Sequence, residues 1–299
     1  MRVLITGGAG FIGTNLTLHL LEKKIEVVGC GWIKERRPFY LKNFDGYRFI
    51  NMDVRNPEDY ELLPEVDVVI HLAANVGIQK GITDPISDFE TNSKSTVYLL
   101  EWARNHGKPL FIYASSNKVY PLNEWKSHTP YGVSKRTSEL WCKEYNFTYG
   151  VSTIVNRQSC IYGPYQKGNV EEGWISWFMI ANLKNLPLTI FGDGTQQRET
   201  LYVEDLCRLI YKEITTKKMW GKVYNVGGGE KNVVSLNEVM KIIESISKKK
   251  YEKVLYKEVR LAEQKTYISD IADLEPYWKP EVSVEDGFKK TLNWLCKNL

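Results

Sequence analysis

A glycine-rich turn near the N-terminus constrains the fold of this chain more than any other feature of its sequence. The segment LITGGAGFIG follows the first apolar run and places Gly7, Gly10 and Gly13 at three-residue intervals. Between a strand and a helix, such glycines permit a tight turn, admit a pyrophosphate close to the backbone and let the helix pack near the sheet. The N–H groups that open the helix, at Phe11 and Ile12, attract phosphate. The pattern predicts a dinucleotide site; the alternative is that the glycines serve close packing alone.

Short β-branched runs alternate with helical patterns along the first half of the chain. This alternation is typical of βαβ units, which build parallel sheets. The predicted strands are RVLI, IEVVG, YRFIN, VDVVIHLAA, PLFIYA and VSTIVN, and the predicted helices cover about residues 11–23, 84–105 and 130–149. We therefore predict an α/β fold: a doubly wound Rossmann parallel sheet of at least six strands, with a smaller C-terminal α/β substrate-binding module.

The pattern changes after the segment IYGP, where a loop rich in Gly, Glu and Trp begins. A helix at about 235–248, the strand YEKVLYKEV and a final helix follow. We expect a Rossmann domain at residues 1–162 that is rejoined by about 198–226, and a substrate-binding module at 163–197 and 227–299.

Composition narrows the class of protein. Of the 299 residues, 43% are hydrophobic and 25% are charged, and the net charge is only +4, so no strong field points to a nucleic acid polymer. Five cysteines without CxxC spacing argue against a disulfide framework and against a zinc site. The N-terminal segment has no cleavage pattern for export, and no apolar run is long enough to span a bilayer. We expect a cytoplasmic protein that binds a small anionic molecule, with no metal and no membrane contact.

The end of the second predicted strand bears on the choice of dinucleotide. An acidic residue at this position normally binds the ribose 2′-hydroxyl of NAD, but the sequence VVGCGWIKERRP has Gly31 there. Arg36 and Arg37 follow and suit the 2′-phosphate of NADP; the alternative is that they belong to a solvated loop. NADP is slightly favoured over NAD. Four further residues, which follow strand three or end strand four, are predicted to contact the dinucleotide: Asp53, Val54, Ala73 and Ala74.

A serine, a tyrosine and a lysine suggest the chemistry. Ser115 and Ser116 come just after the run PLFIY, and Tyr131 and Lys135 stand one helical turn apart in YGVSK. A neighbouring ammonium lowers the pKa of a phenol, so Tyr131 can act as general base on a hydroxyl while Ser116 positions that hydroxyl. The alternative is that the serines cap a turn and the other two residues lie on a helix surface. Beside a dinucleotide site, reversible alcohol oxidation is the better interpretation.

Several of these segments resemble a known family. TGGAGFIG, HLAA, SSNKVY and YGVSK are similar to motifs of the extended short-chain dehydrogenase/reductase family, and NRQSCIYGPYQKG, GDGTQQRETLYVEDL and YNVGGG extend the likeness over nearly the whole chain. The likeness is strongest to its nucleotide-sugar epimerase branch, which contains CDP-paratose (CDP-tyvelose) 2-epimerases and UDP-glucose 4-epimerases. It implies a catalytic trio of Ser116, Tyr131 and Lys135, with Tyr131 and Lys135 also contacting the dinucleotide. It further implies that the substrate is a nucleoside diphosphate sugar, bound by Ser116, Asn117, Arg198 and Arg260.

The resemblance has departures, and it leaves alternatives open. The segment LNEWKSHT is shorter than the corresponding loop of relatives, and Lys265 stands where tyvelose-type relatives have arginine. In the dehydratases of the family, Asp and Glu follow the hydroxyl residue, whereas Asn117 and Lys118 follow it here, which disfavours dehydration. The predicted function is an NAD(P)-dependent nucleotide-sugar epimerase that oxidises a hydroxyl transiently and returns hydride to the opposite face. An NADP-dependent reductase or dehydrogenase is the first alternative, and a non-catalytic NAD(P) sensor is the second.

The resemblance also implies a homodimer. In this family the helices predicted at about 84–105 and 130–149 form a four-helix interface about a twofold axis. Four apolar residues on them are suited either to the sheet or to a second subunit: Val97, Leu100, Leu140 and Trp141.

Overall fold

The structure is a computed structural model that describes residues 1–32, 44–121, 129–170, 172–259 and 265–299. The chain divides into two compact units. The first unit comprises Met1–Gln158 and Cys207–Tyr224, and the second comprises Ser159–Leu206 and Asn225–Leu299. The segment that returns to the first unit is shorter than the predicted 198–226, because the strand at Gln197–Tyr202 pairs with strands of the second unit.

A seven-stranded sheet forms the centre of the first unit. Its strands are β1 (Arg2–Thr6), β2 (Glu26–Gly31), β3 (Tyr47–Asn51), β4 (Val68–His71), β5 (Leu110–Ser116), β6 (Thr153–Gln158) and β10 (Lys222–Val226). The order is β10-β6-β5-β4-β1-β2-β3, and β1 to β6 pair in parallel. The order 3-2-1-4-5-6 is that of a Rossmann fold, in which ligands bind beyond the carboxyl ends of the strands. The prediction of a doubly wound parallel sheet is confirmed.

Helices accompany these strands in the order that the alternation predicts. They are α1 (Phe11–Glu22), α2 (Ile78–Thr83), α3 (Pro85–Asp88), α4 (Ser95–Asn105), α5 (Pro130–Tyr149) and α7 (Val203–Thr215), whose first residues belong to the second unit. Helix α5 has a complete set of end signals: Thr129 caps its first turn by accepting the Gly132 N–H, Pro130 is its first residue, and Gly150 ends it with φ of 68°. These signals explain why its predicted bounds match the structure.

The predicted long helix at about 84–105 is interrupted. A π-helical turn, Phe89–Lys94, separates α3 from α4. The carbonyl oxygen of Asn92 accepts hydrogen bonds from two hydroxyl groups, those of Thr96 and Ser138, and the Ser95 hydroxyl donates to the carbonyl of Thr91. Because side chains occupy these carbonyls, the regular α-helical ladder is displaced there.

The second unit is a smaller α/β assembly. It contains strands β7 (Cys160–Tyr162), β8 (Leu188–Phe191), β9 (Gln197–Tyr202), β11 (Val233–Ser235), β12 (Val254–Lys257) and β13 (Thr266–Tyr267), with helices α6 (Trp174–Leu183), α8 (Leu236–Ser247) and α9 (Val284–Asn298). Strand β9 pairs with β7, β11 and β13, and β8 pairs with β12. The predicted strand at YEKVLYKEV is therefore confined to β12.

Each unit has its own hydrophobic core. In the first, apolar residues of the sheet such as Leu4, Val69 and Phe111 pack with residues of α4 and α5. In the second, α6, α8 and α9 pack together around residues such as Phe178 and Phe288. Among the described residues, no helix is both long and apolar enough to cross a membrane.

Candidate active site

The glycine turn packs as tightly as its sequence predicts. Gly7 has φ of 68°, and a methyl group on it would lie 3.0 Å from the backbone nitrogen of Ala73. A methyl group on Gly13 would overlap the carbonyl oxygen of Gly7. Gly10 caps α1 without a side chain, and the first turn of α1 has no acidic residue, so the N–H groups that begin at Phe11 are suited to an anion. These residues fit the pyrophosphate of a dinucleotide.

Next to the end of β2, Arg55 contacts the ring of Trp32, which the sequence did not predict. Trp32 follows Gly31, and the guanidinium carbon of Arg55 lies 5.6 Å from the centre of its ring. Arg55 also binds Asp53 with two nitrogens, Nε to Oδ1 at 2.9 Å and Nη2 to Oδ2 at 2.6 Å. These hydrogen bonds hold the pKa of Asp53 below its usual range. Asp53, predicted to contact the dinucleotide, is thus an ionised carboxylate with its own arginine partner.

The remaining predicted dinucleotide residues are placed as follows. Val54 is buried, and its carbonyl accepts the Tyr60 hydroxyl at 2.8 Å. Ala73 and Ala74 are partly buried and come directly after β4, where Ala73 packs on the glycine turn. Arg36 and Arg37 lie outside the described residues.

Ser115 and Ser116 are the last two residues of β5, which extends beyond the apolar run PLFIY. The Ser116 hydroxyl accepts the N–H of Lys118 at 3.2 Å and so caps a short 3₁₀ turn, Asn117–Val119. Ser116 and Asn117 are 8% and 7% exposed. Both therefore lie at the carboxyl edge of the sheet, where the fold places ligands.

Tyr131 and Lys135 share the buried face of α5. Their exposed fractions are 8% and 3%, and α5 packs against β5. The Lys135 ammonium lies 4.5 Å from the centre of the Tyr113 ring. Burial lowers the pKa of Lys135 to about 7. The two residues are core positions, which excludes the alternative that they are ordinary residues of a helix surface.

The carboxylate of Glu139, which binds Ser115, is fully engaged by hydrogen bonds. Glu139, one turn after Lys135, is 3% exposed and accepts the hydroxyl of Ser115 at 2.6 Å. It also accepts two hydrogen bonds from Arg157, at 2.9 and 2.8 Å, and one from Arg136 at 2.6 Å. Because both oxygens are engaged, Glu139 ties β5, β6 and α5 together and is not available as an acid or base.

The structure describes one of the two arginines that were predicted to bind the substrate. Arg198 lies in β9 of the second unit, is 7% exposed, and donates to the carbonyl oxygens of Gln197 at 2.7 Å and Lys265 at 3.4 Å. Arg260 lies outside the described residues.

Sequence reasoning missed three residues of the site region: His71, Arg55 and Glu139. His71 is a polar residue inside the apolar run VDVVIHLAA, and that position was a usable signal. Glu139 follows Lys135 at helical spacing, whereas its partners come from distant parts of the chain and leave no local pattern. The same holds for the contact of Arg55 with Trp32.

Known proteins resemble this chain along its whole length. It is 30% identical to CDP-paratose 2-epimerase of Salmonella typhi, over 98% of this chain and 99% of that one. It is also 30% identical to dTDP-glucose 4,6-dehydratase of Escherichia coli, over 100% and 93%. UDP-glucuronic acid 4-epimerase of Bacillus cereus, solved with UDP-glucuronic acid and NAD, superposes with a TM-score of 0.87 at 29% identity and full coverage of both chains. The profile of the NAD dependent epimerase/dehydratase family matches residues 3–227. This chain belongs to the NAD-dependent epimerase/dehydratase family.

Proposed function

We propose that this protein is a nucleotide-sugar epimerase that oxidises one sugar hydroxyl transiently and restores it with inverted configuration. The observation that carries the proposal is the burial of Tyr131 and Lys135 on one face of α5, packed against the strand that ends at Ser116. An ordinary helix places a lysine in solvent, since burial of its ammonium is unfavourable. A buried lysine one turn from a buried tyrosine is suited to tuning that tyrosine for proton transfer.

Each residue of the trio has a defined task. The hydroxyl of Ser116 binds the hydroxyl of the substrate, and the phenol oxygen of Tyr131 takes its proton. The positive charge of Lys135 favours the phenolate form of Tyr131. A bound dinucleotide, held at the glycine turn, supplies the reversible two-electron acceptor. Because Tyr131 returns the same proton when the carbonyl is reduced, epimerisation needs no second acid–base pair.

The residues that follow Ser116 favour epimerisation over dehydration. Elimination of water requires an acid and a base in addition to the tyrosine, and dehydratases of the family have Asp and Glu after the hydroxyl residue. Here Asn117 and Lys118 stand there, and Glu139 is engaged by Ser115 and two arginines. Sequence identity cannot make this distinction, since an epimerase and a dehydratase are equally similar to the chain.

Arg198 is our candidate for the substrate diphosphate. Its guanidinium is held by two main-chain carbonyls, which limits its freedom and prepares it to bind an anion. Guanidinium groups suit phosphate because they donate parallel hydrogen bonds. We assign the nucleoside diphosphate of the sugar to Arg198, together with Arg260.

We further propose that NADP binds at least as well as NAD. Gly31 offers no carboxylate to a ribose 2′-hydroxyl, and the cations Arg36 and Arg37 follow it in the sequence. Denaturing the purified protein and identifying the released dinucleotide by mass spectrometry tests this proposal. Binding of NADP and NAD should then be measured for Arg36→Ala/Arg37→Ala. A strong preference of the wild type for NAD would refute it.

The outer face of α5 is suited to a second copy of the chain. Leu140, Trp141 and Phe147 are 55%, 41% and 87% exposed on one helix, whereas the predicted contact residue Leu100 is buried in the core and Val97 is partly buried. Apolar side chains exposed together on a helix favour association. We propose an isologous dimer through α4 and α5.

The decisive experiment incubates the protein, without added reductant, with UDP-, CDP-, GDP- and dTDP-linked sugars and follows the products by NMR and mass spectrometry. We expect one sugar to yield a product of unchanged mass with one inverted carbon. In heavy water the inverted carbon should keep its own hydrogen, since Tyr131 handles only the hydroxyl proton. Tyr131→Phe is the matched control and should form the product ~10²–10⁴ times more slowly.

The other outcomes separate the alternatives. A product lighter by one water would indicate a dehydratase. Stoichiometric accumulation of reduced nicotinamide, seen by its absorbance, would indicate a dehydrogenase. Tight dinucleotide binding without conversion of any sugar would favour a sensor.

A further inference from the structure

A line of buried hydrogen bonds runs through the first unit from the end of β4 to the π-helical turn. The N–H of Ala73 donates to the hydroxyl of Thr6 at 3.2 Å, and that hydroxyl lies 2.7 Å from Nδ1 of His71. Nε2 of His71 lies 3.1 Å from the hydroxyl of Thr96, which donates to the carbonyl of Asn92 at 2.6 Å. Apart from Ala73, each residue of this line is at most 1% exposed: Thr6, His71, Thr96 and Asn92. Water therefore does not compete for these bonds.

The chemistry of the groups gives every bond in this line a direction. A carbonyl oxygen only accepts, so the single hydroxyl proton of Thr96 points to Asn92, and Thr96 must accept from Nε2 of His71. Burial, followed by the charge of Lys135, lowers the pKa of His71 to about 3, so the imidazole is neutral and carries one proton, on Nε2. Nδ1 then accepts the proton of Thr6, and Thr6 accepts the N–H of Ala73. Every donor in the line has one acceptor.

The two ends of the line lie at different parts of the proposed site. Ala73 packs against Gly7 of the glycine turn, because a methyl group on Gly7 would lie 3.0 Å from its nitrogen. At the other end, the side-chain amide of Asn92 donates to the Ser134 hydroxyl at 3.0 Å, and Ser134 donates to the carbonyl of Tyr131 at 2.8 Å. The line thus begins at the turn suited to the dinucleotide and ends on the backbone of the helix that holds the proposed base.

We propose that His71 is a positioning residue. Its neutral tautomer, with the proton on Nε2, links the glycine turn to the first turn of α5 through hydrogen bonds that all donate in the same direction. The inference rests on the proposed dinucleotide site, and it is independent of which sugar is converted. Only a group that accepts on one side and donates on the other can link two hydroxyls in this way. Leucine or phenylalanine would leave the Thr6 proton unpaired, and a charged imidazole would present two donors.

The first test observes the tautomer directly. The protein is labelled with ¹⁵N at its histidines, of which there are four in the sequence, and the His71 signals are assigned from a His71→Gln variant. We expect a proton on Nε2 and none on Nδ1, with no change between pH 5 and pH 9. A proton on Nδ1, or a titration in that range, would overturn the inference. If His71→Gln does not fold, the wild type is used alone. Its histidine signal that does not change with pH is then taken as that of His71, and this signal reports the tautomer.

The second test removes one hydroxyl at a time. Thr6→Val deletes the bond to Nδ1 and the acceptor for Ala73, and we expect the dissociation constant of the dinucleotide to rise about fivefold, as for one neutral hydrogen bond. Thr96→Val should instead lower kcat, leave dinucleotide affinity within twofold, and shift the His71 signals. Thr17→Val is the matched control, because Thr17 is fully buried and its hydroxyl has no partner among the described residues.

The outcomes separate this inference from the proposed function. Equal dissociation constants for Thr6→Val, Thr17→Val and the wild type would show that the hydroxyls serve packing alone and would overturn the inference. Failure of the wild type to bind either NAD or NADP would instead refute the dinucleotide site itself, whatever the tautomer of His71.

Discussion

Replacing Glu213 with glutamine should stabilise the first unit at pH 8 and change its stability little at pH 5. Glu213 lies in α7, is fully buried, and accepts the side-chain amide of Asn156 at 2.9 Å. Within the described part of the chain, Oε1 of Glu213 and Oδ1 of Asn156 have no partner. A proton on Glu213 supplies a donor to this pair, so the acid and the amide can satisfy one another. The ionised form cannot do so, because the pair then has one donor group facing three acceptors.

Burial raises the pKa of Glu213 from 4.5 to about 8. In the unfolded chain the carboxyl group ionises near its ordinary pKa, whereas in the folded unit it keeps its proton up to about pH 8. The folded state therefore binds more protons between these values, and its stability falls as the pH rises from 4.5 to 8. A pKa difference costs about 1.4 kcal/mol per unit, which gives an upper value of about 5 kcal/mol at pH 8 and above.

Glutamine removes this cost because it cannot ionise, and its amide supplies the donor that the pair lacks. Thermal unfolding of the wild type and Glu213→Gln should be compared from pH 5 to pH 9. We expect a stability difference near zero at pH 5 that grows by about 2–4 kcal/mol in favour of the variant at pH 8. The exposed Glu61→Gln is the matched control. A difference that does not vary with pH would refute the argument that Glu213 is protonated in the fold.

Three further predictions concern the proposed activity and assembly. Tyr131→Phe should fold and bind the dinucleotide as the wild type does, yet turn over ~10²–10⁴ times more slowly, since loss of a general base costs that much; activity near that of the wild type would contradict the assignment. Arg198→Ala should raise KM for the nucleotide sugar far more than the dissociation constant of the dinucleotide, measured by calorimetry, with the partly exposed Arg104→Ala as control. Trp141→Glu should leave the fold intact, because this side chain is 41% exposed, and should convert the proposed dimer into a monomer by light scattering. A wild type that is already monomeric at micromolar concentration would refute the interface.

The architecture of the first unit could be predicted from the sequence because its signals are local. Strand and helix periods alternate, the glycines stand at one junction, and parallel connections are almost always right-handed, so few topologies remain. The interruption of the helix at 84–105 could not be predicted. The π-helical turn depends on hydroxyls that bind the Asn92 carbonyl, and one of them, that of Ser138, comes from a different helix. Such contacts leave no periodic trace in the sequence.

The features of the candidate site that follow from the interval between two residues could be predicted from the sequence. The hydrogen-bond partners that come from other strands and helices could not. The interval between Tyr131 and Lys135 places them on one face of α5, and the structure shows that this face is buried. The sequence did not reveal that Asp53 has an arginine partner, or that Glu139 is saturated by groups from β5, β6 and α5. These facts decide which carboxylates are free to do chemistry, and they follow only from the tertiary fold.

The residues around Lys135 determine its protonation state, and that state acts on the proposed base, Tyr131. Glu139 is matched by Arg157 and Arg136, and its charge raises the pKa of Lys135 without offsetting the effect of burial. Asp88 is 1% exposed; it raises the pKa of Lys135, and Lys135 lowers that of Asp88. Burial acts on both in the direction of the neutral form, because it lowers the pKa of the lysine and raises that of the aspartic acid. In the protein alone, the pair therefore gains little by being charged. We propose that the negative charge of a dinucleotide bound at the glycine turn shifts that balance toward the protonated lysine, which is the state that favours the phenolate of Tyr131. On this proposal, binding of the dinucleotide prepares the base.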